Sequence, residues 1–373
     1  MSAGGLAKAE NMNQKKLEIS NSQKGAQVTA RSSIIRRDVT ISPELERSDL
    51  HPLLKKIYAN RGIDKLEQVD YSLSRLIDFL LLKDIDKASA AVADIIEKDG
   101  NLIIVGDFDA DGATSCAVMM RCLKAFGLKS VDYLVPNRFD FGYGLSPQIV
   151  DVAAESKPDL IVTVDNGISS IDGVERAKEL GIKVVVTDHH LAADELPDAE
   201  AIVNPNQPGC QFPSKVIAGV GVAFYLMLAV RAELRRRQWF NDLRVEPNMA
   251  TLLDVVALGT VADVVPLDEN NRTLVETGLQ RIRNNRACAG INALLSIAGK
   301  SIERCSSQDF GFIIGPRLNA AGRLDDMSIG IECLLSDDYE QAVSYASRLN
   351  QMNLQRRQIE GEMLEQAFSL LQQ

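Results

Sequence analysis

The sequence predicts an α/β fold: a parallel β-sheet flanked by helices, then a mostly helical segment and a long C-terminal helix. Three observations carry this. Short apolar runs alternate regularly with helical periods between about residues 100 and 204. The runs Leu102-Ile103-Ile104-Val105, Leu160-Ile161-Val162-Thr163-Val164 and Val184-Val185-Val186 are apolar on both faces, as strands buried on both sides must be. Each ends in acidic or imidazole groups: Asp107-Phe108-Asp109-Ala110-Asp111-Gly112, Asp165-Asn166-Gly167 and Asp188-His189-His190. In an open parallel sheet the carboxyl ends of the strands line one crevice, where ligands bind.

The elements follow in order. Residues 1–44 are polar and without period, and are expected to be a disordered tail. Helical spacing is expected at 51–60 and again at 73–82. A strand at 101–106 leads to a helix at 113–126, and a strand at 131–135 leads through a loop to a helix from Pro147, where proline suits the first turn. A strand at 159–164 precedes a helix at 170–180, closed by Gly181. A strand at 182–187 carries the histidine pair, and 201–204 adds an edge. Helices are expected at 218–237, 248–259, 271–285 and 290–298, with shorter ones after 306 and 327. From 339 to 373 an amphipathic pattern runs with no stop signal, as if the chain were cut within a helix. The implied domains are 45–213 (α/β), 214–336 (helical) and 337–373 (connecting helix).

Composition narrows the function. A net charge of −10 argues against broad attraction to nucleic acid, though not against a local basic groove. The six cysteines are scattered with no Cys-x-x-Cys pair, which reads as reduced core thiols in a cytosolic protein. No secretory signal is visible, and the apolar run Ile217–Val230 is too short to span a bilayer, so a cytoplasmic location is expected.

The acidic strand ends carry the chemistry. If the chain continues extended, Asp107, Asp109 and Asp111 point to one side and repel unless a cation lies between them. Oxygen and nitrogen ligands together suit a hard or borderline divalent ion such as Mn2+ or Mg2+. Only one of two adjacent histidines can readily reach a given ion, and Asp188 is better placed to hold an imidazole tautomer. Asp263 stands in the apolar stretch Val261-Ala262-Asp263-Val264-Val265, where a carboxylate is costly unless paired or bound to metal. Asn137-Arg138 sits in a strand-end loop, and Gly315-Pro316-Arg317-Leu318-Asn319-Ala320-Ala321-Gly322-Arg323 reads as a glycine-bounded loop whose arginine forks match phosphate oxygens.

These motifs, in this order, resemble the DHH phosphoesterases, and within them the RecJ-type single-strand-specific exonucleases. The likeness runs over roughly residues 45 to 373. It implies a two-metal phosphodiesterase using Mn2+ or Mg2+, with Asp109, Asp111, Asp165, His189 and Asp263 as ligands. His190 would face the scissile phosphate, and Asn137, Arg138, Arg317, Asn319 and Arg323 would engage DNA. Many members carry a histidine where this chain has Val105, which implies Asp107 as a substitute ligand and a second ion that needs substrate. The implied reaction is 5′-to-3′ hydrolysis of single-stranded DNA to 5′-mononucleotides in repair and recombination, with a helicase or single-strand-binding protein as partner. Members continue into a Gly-Gly-His domain and an OB-like domain, neither of which is expected within these residues, so the resemblance implies a catalytic core with reduced hold on DNA. The alternatives are a DHH-type phosphodiesterase acting on short oligonucleotides or cyclic dinucleotides, and a non-catalytic DNA-binding scaffold.

Overall fold

A computed structural model describes residues 38–136 and 144–371. The chain divides into two units, 1–64 and 65–373. In the first, helices α1 (Pro43–Arg47) and α2 (Pro52–Asn60) each begin on a proline, and Ser42 Oγ accepts from Leu45 N to cap α1. The expectation for the N-terminal tail falls largely on 1–37, outside the described residues.

The second unit is built on a five-stranded parallel sheet. Its elements run α3 (Ile85–Glu97), β1 (Asn101–Gly106), α4 (Ala110–Phe126), β2 (Ser130–Leu134), α5 (Pro147–Ala154), β3 (Leu160–Val164), α6 (Ile171–Glu179), β4 (Lys183–Thr187) and β5 (Ala201–Val203). Helices follow: α7 (Gly219–Arg236), α8 (Leu253–Ala262), α9 (Glu269–Arg283), α10 (Ala289–Ile297), the single turn α11 (Ser307–Asp309), α12 (Gly315–Leu324), α13 (Ser328–Leu335) and α14 (Tyr339–Leu371). A π-helical turn, Phe310–Ile314, joins α11 to α12.

The strand order is β2-β1-β3-β4-β5, so the winding reverses between β1 and β3. Ligand crevices form at such a switch point. The register fixes what meets there. Gly106 pairs with Val164, and Val164 with Thr187. Asp107, Asp165 and Asp188 are therefore the first residues beyond the sheet on three adjacent strands.

Both faces of the sheet are buried. Leu102, Ile104, Leu160, Val162, Val164 and Val185 pack with α3, α4, α7 and the later helices, while Ile103, Val105, Ile161, Val184 and Val186 pack beneath α5 and α6. Each such side chain contributes about 1.5–3 kcal/mol on burial. The apolar run from Ile217 lies largely within the buried helix α7, and no described helix is long and apolar enough to cross a membrane. All six cysteines are free.

Three local expectations are corrected. Residues 73–82 form two short 3-10 turns, Leu73–Arg75 and Phe79–Leu81, with no helix between them. Ile77 N donates to Asn270 of α9 at 3.3 Å and Asp78 caps the second turn, so side chains compete successfully with the helical ladder. The segment 315–323 is helix α12 and not a loop, with Pro316 tolerated in its first turn. Helix α4 starts three residues early because Asp109 Oδ1 accepts from Asp111 N at 2.8 Å and Gly112 N at 3.0 Å. Asp109 and Asp111 thus flank a helix start, and do not alternate along an extended chain.

Candidate metal centre

Five carboxylates and an imidazole converge at the switch point. Asp107 and Asp109 come from the β1–α4 turn and Asp111 from the first turn of α4. Asp165 follows β3 in a left-handed conformation, φ 61°. His189 follows β4, and Asp263 is the C-cap of α8. His189 Nε2 lies 3.1 Å from Asp165 Oδ1, 3.6 Å from Asp263 Oδ2 and 3.9 Å from Asp111 Oδ2. Three overlapping groups have one ligand atom per residue within 4.8 Å of the others: Asp107, Asp109 and Asp165; Asp111, His189 and Asp263; Asp165, His189 and His190. All five residues expected as ligands belong to these groups, and so do Asp107 and His190.

The backbone around each group explains its place. Asp111 accepts from Gly219 N at 2.6 Å and Val220 N at 2.9 Å, so it caps α7 from outside that helix and brings it to the site. Gly219 makes this approach possible, because a Cβ there would stand 2.6 Å from Asp165 Oδ1. Asp188 accepts on Oδ1 from His189 N, His190 N and, at 2.7 Å, His190 Nδ1, while its Oδ2 takes Ile168 N at 2.9 Å. Asp188 orients the histidine pair, as its sequence position implied. Val264, next to Asp263, holds φ 64° and is exposed, an uncommon state for a β-branched residue.

Charge is crowded here. Burial, then the charge of Asp109, pushes the Asp107 carboxyl up to about 7. The same two causes raise Asp263 to about 7. Asp111 and Asp165 are raised well above the usual carboxylate range, first by burial and then by their acidic neighbours. Burial, followed by the charge of His190, lowers His189, whereas the Asp188 hydrogen bond raises His190. Burial alone would raise Asp188, but His190 and the backbone N–H donors pull it below its ordinary value. Asp107 Oδ1 and Asp263 Oδ2 are buried and meet no hydrogen-bond donor among the described residues. A divalent cation relieves both the repulsion and the unmet acceptors, and the O/N donor set suits Mn2+ or Mg2+.

Of the expected substrate residues, Arg317, Asn319 and Arg323 share helix α12. Asn137 and Arg138 lie outside the described residues. Arg317 is turned inward, donating from Nε to Asn350 Oδ1 at 3.1 Å and from a terminal nitrogen to Ile313 O at 2.6 Å. Asn319 Oδ1 accepts from Ala110 N at 2.7 Å. Arg323 is exposed.

Two asparagines escaped the sequence reading. Asn204 Nδ2 donates to His190 O at 3.0 Å, and Asn206 Nδ2 to His189 O at 2.6 Å, so the loop after β5 fixes the histidine backbone. The available signal was Asn204-Pro205-Asn206 directly after a short strand. Asn166, read only as turn chemistry, ties the ends of β1 and β3 together by donating to Val105 O at 3.1 Å and Val164 O at 2.8 Å.

Comparison with known proteins agrees with this architecture. Residues 101–260 match the N-terminal domain of the DHH family. The chain is 52% identical over 340 residues to the single-stranded-DNA-specific exonuclease RecJ of Dickeya dadantii, covering 91% of this chain and 59% of that protein. It is 50% identical over 336 residues to the RecJ of Escherichia coli, covering 90% and 58%. It therefore spans less than two thirds of the length of these curated relatives. A crystal structure of exonuclease RecJ bound to manganese superposes with TM-score 0.69 at 32% identity, over 78% of this chain and 70% of that one. The RecJ of Thermus thermophilus in complex with Mn2+ gives TM-score 0.72 at 29% identity, over 87% and 45%. The same protein has been solved with Mg2+. The chain belongs to the RecJ family, and the stretch from β1 into α8, residues 101–260, matches its DHH N-terminal domain.

Proposed function

We propose that this chain is the catalytic core of a metal-dependent exonuclease that degrades single-stranded DNA 5′ to 3′, releasing 5′-mononucleotides in DNA repair and recombination. The observation that supports it best is the in-register convergence of Asp107, Asp109, Asp111, Asp165, His189 and Asp263 at one switch point, in a chain about half identical to RecJ exonucleases. Asp109, Asp111, Asp165, His189 and Asp263 would hold the ions, with Asp107 completing the set. Bound Mn2+ or Mg2+ would supply polarisation of the phosphoryl oxygens and water acidic enough to attack phosphorus near neutral pH. The surrounding residues do the rest. Asp188 fixes the half-exposed His190 ring through Nδ1 and favours its protonated form, leaving Nε2 to face an oxygen of the scissile phosphate. Arg323 offers a guanidinium to the DNA backbone, and Arg317 braces the helix that carries it. The bond broken would be phosphorus to the 3′ oxygen, so the attacked phosphate stays as the new 5′ end of the shortened strand, and the released nucleotide departs with a 3′ hydroxyl and the 5′ phosphate it already carried. A cytoplasmic setting is part of the same proposal. A helicase or single-strand-binding partner rests on the family resemblance.

The test uses 5′-labelled single-stranded DNA and Mn2+, with Asp165→Ala beside the unaltered chain. Labelled mononucleotide from the unaltered chain alone supports the proposal. Release confined to dinucleotides would reassign the chain to short substrates. Mn2+ binding and strand binding without any release would make it a scaffold.

A further inference from the structure

We propose that Asn319 is a positioning residue for the metal centre, acting on the Asp107–Asp111 turn through the Ala110 N–H; this rests on the metal reading above. The start of α4 supplies the case. A helix leaves its first N–H groups without internal partners. Asp109 Oδ1 takes those of Asp111 and Gly112, and the Asp109 carbonyl takes that of Ala113. The N–H of the buried Ala110 has no acceptor within its own turn, and Asn319 Oδ1 meets it at 2.7 Å from α12.

Gly322 lies three positions on, so it shares a face of α12 with Asn319. A Cβ at Gly322 would overlap the Phe108 carbonyl oxygen, so the helix backbone rests directly on the turn. One face of α12 thus grips the chain at Phe108 and at Ala110, on either side of Asp109. The grip is itself anchored, because Leu318 is fully buried and Arg317 joins Ile313 O and Asn350 of α14. Asp109 keeps Oδ2 for an ion while Oδ1 caps α4, and small backbone shifts at this turn would move both Asp109 and Asp111. Partners that hold metal ligands in place are commonly worth about 10–100-fold in metal affinity.

The experiment compares Asn319→Ala and Asn319→Asp with the unaltered chain. It reads Mn2+ affinity by calorimetry without DNA, hydrogen exchange of the Ala110 amide in EDTA, and hydrolysis against Mn2+ and strand concentration. Asn319→Ala should bind Mn2+ about 10–100-fold more weakly and exchange Ala110 faster, with excess Mn2+ restoring hydrolysis. Asn319→Asp keeps an acceptor at the same place and should retain both Mn2+ affinity and amide protection. The proposal is overturned if Asn319→Ala leaves affinity and exchange unchanged while raising KM for the strand, since Asn319 would then contact DNA. It is also overturned if Asn319→Asp loses Mn2+ affinity as fully as Asn319→Ala. An unaltered chain that binds no Mn2+ would sink the metal reading instead, and Ala110 exchange would still report whether the grip exists.

Discussion

Substituting Asp107→Asn should stabilise the metal-free protein, and do so in a pH-dependent way. Asp107 is 6% exposed, and its carboxyl is raised from 3.8 to about 7 by burial and by Asp109. A carboxyl raised on folding binds protons more tightly in the native state, so native stability falls as pH rises from the unfolded value towards the folded one. Below about 4 both states are protonated and there is no penalty; above about 7 both are ionised and the penalty is complete. Three units correspond to about 4 kcal/mol. At pH 5 the same linkage leaves about 1.7 kcal/mol. The neutral, isosteric Asn carries no such penalty, so its advantage should grow by roughly 2.5 kcal/mol between pH 5 and pH 8. Urea unfolding in EDTA at the two pH values measures it, provided the slope is unchanged. With Mn2+ present the gap at pH 8 should narrow, because a ligand bound only by the native state at 100 times its Kd adds about 2.7 kcal/mol and the unaltered chain binds it better. An Asn advantage equal at both pH values, or a loss at pH 8, would refute the claim that the site stores repulsion for a cation to relieve.

Gly322→Ala should cost about 1–3 kcal/mol in urea unfolding and weaken Mn2+ binding in calorimetry, since its Cβ would displace α12 from the Phe108 carbonyl. Val264→Gly should raise stability by about 1 kcal/mol, because a left-handed β-branched residue is strained and glycine is not; a melting temperature that falls would count against this. Asp188→Asn should lower the titration midpoint of His190 in an NMR pH series, as the carboxylate that raises it would be gone. The same variant should slow hydrolysis at neutral pH by about 100-fold if His190 acts as the proton donor.

The sheet was legible because burial on both faces writes itself as unbroken apolar runs, and Leu160–Val164 and Val184–Val186 have no other reading. The site was legible for the same reason: Asp107, Asp165 and Asp188 end those runs, so strand register alone brings them together. Side-chain competition with the backbone was much harder to see. Asn270 breaking the 73–82 helix, Asp109 starting α4 early, and Asn204 and Asn206 bracing the histidines all depend on partners distant in sequence or on a cap three residues ahead of the expected start. The α12 error has another cause. Gly315, Pro316 and Gly322 look like helix breakers, yet Pro316 sits where no helical N–H is needed and Gly322 is required by contact with Phe108, not by its φ.

Several residues of the candidate metal centre also hold the fold, so substituting them acts on both. Asp109 is the N-cap of α4, and Asp111 accepts the first two N–H groups of α7. Replacing Asp109 with Ala would remove a proposed ligand together with a cap worth about 1 kcal/mol, while replacing Asp111 leaves two buried N–H groups at the start of α7 unmet. Lost activity in either variant mixes metal loss with local unfolding. Asp165 and Asp107 differ, because burial and their acidic neighbours make their charge a net liability without an ion. They are the positions at which loss of metal and loss of fold separate, and at which a variant can be more stable and less active at once. A stable, inactive Asp107→Asn or Asp165→Ala chain would show that these carboxylates are kept for the cation they bind, against the stability of the fold that carries them.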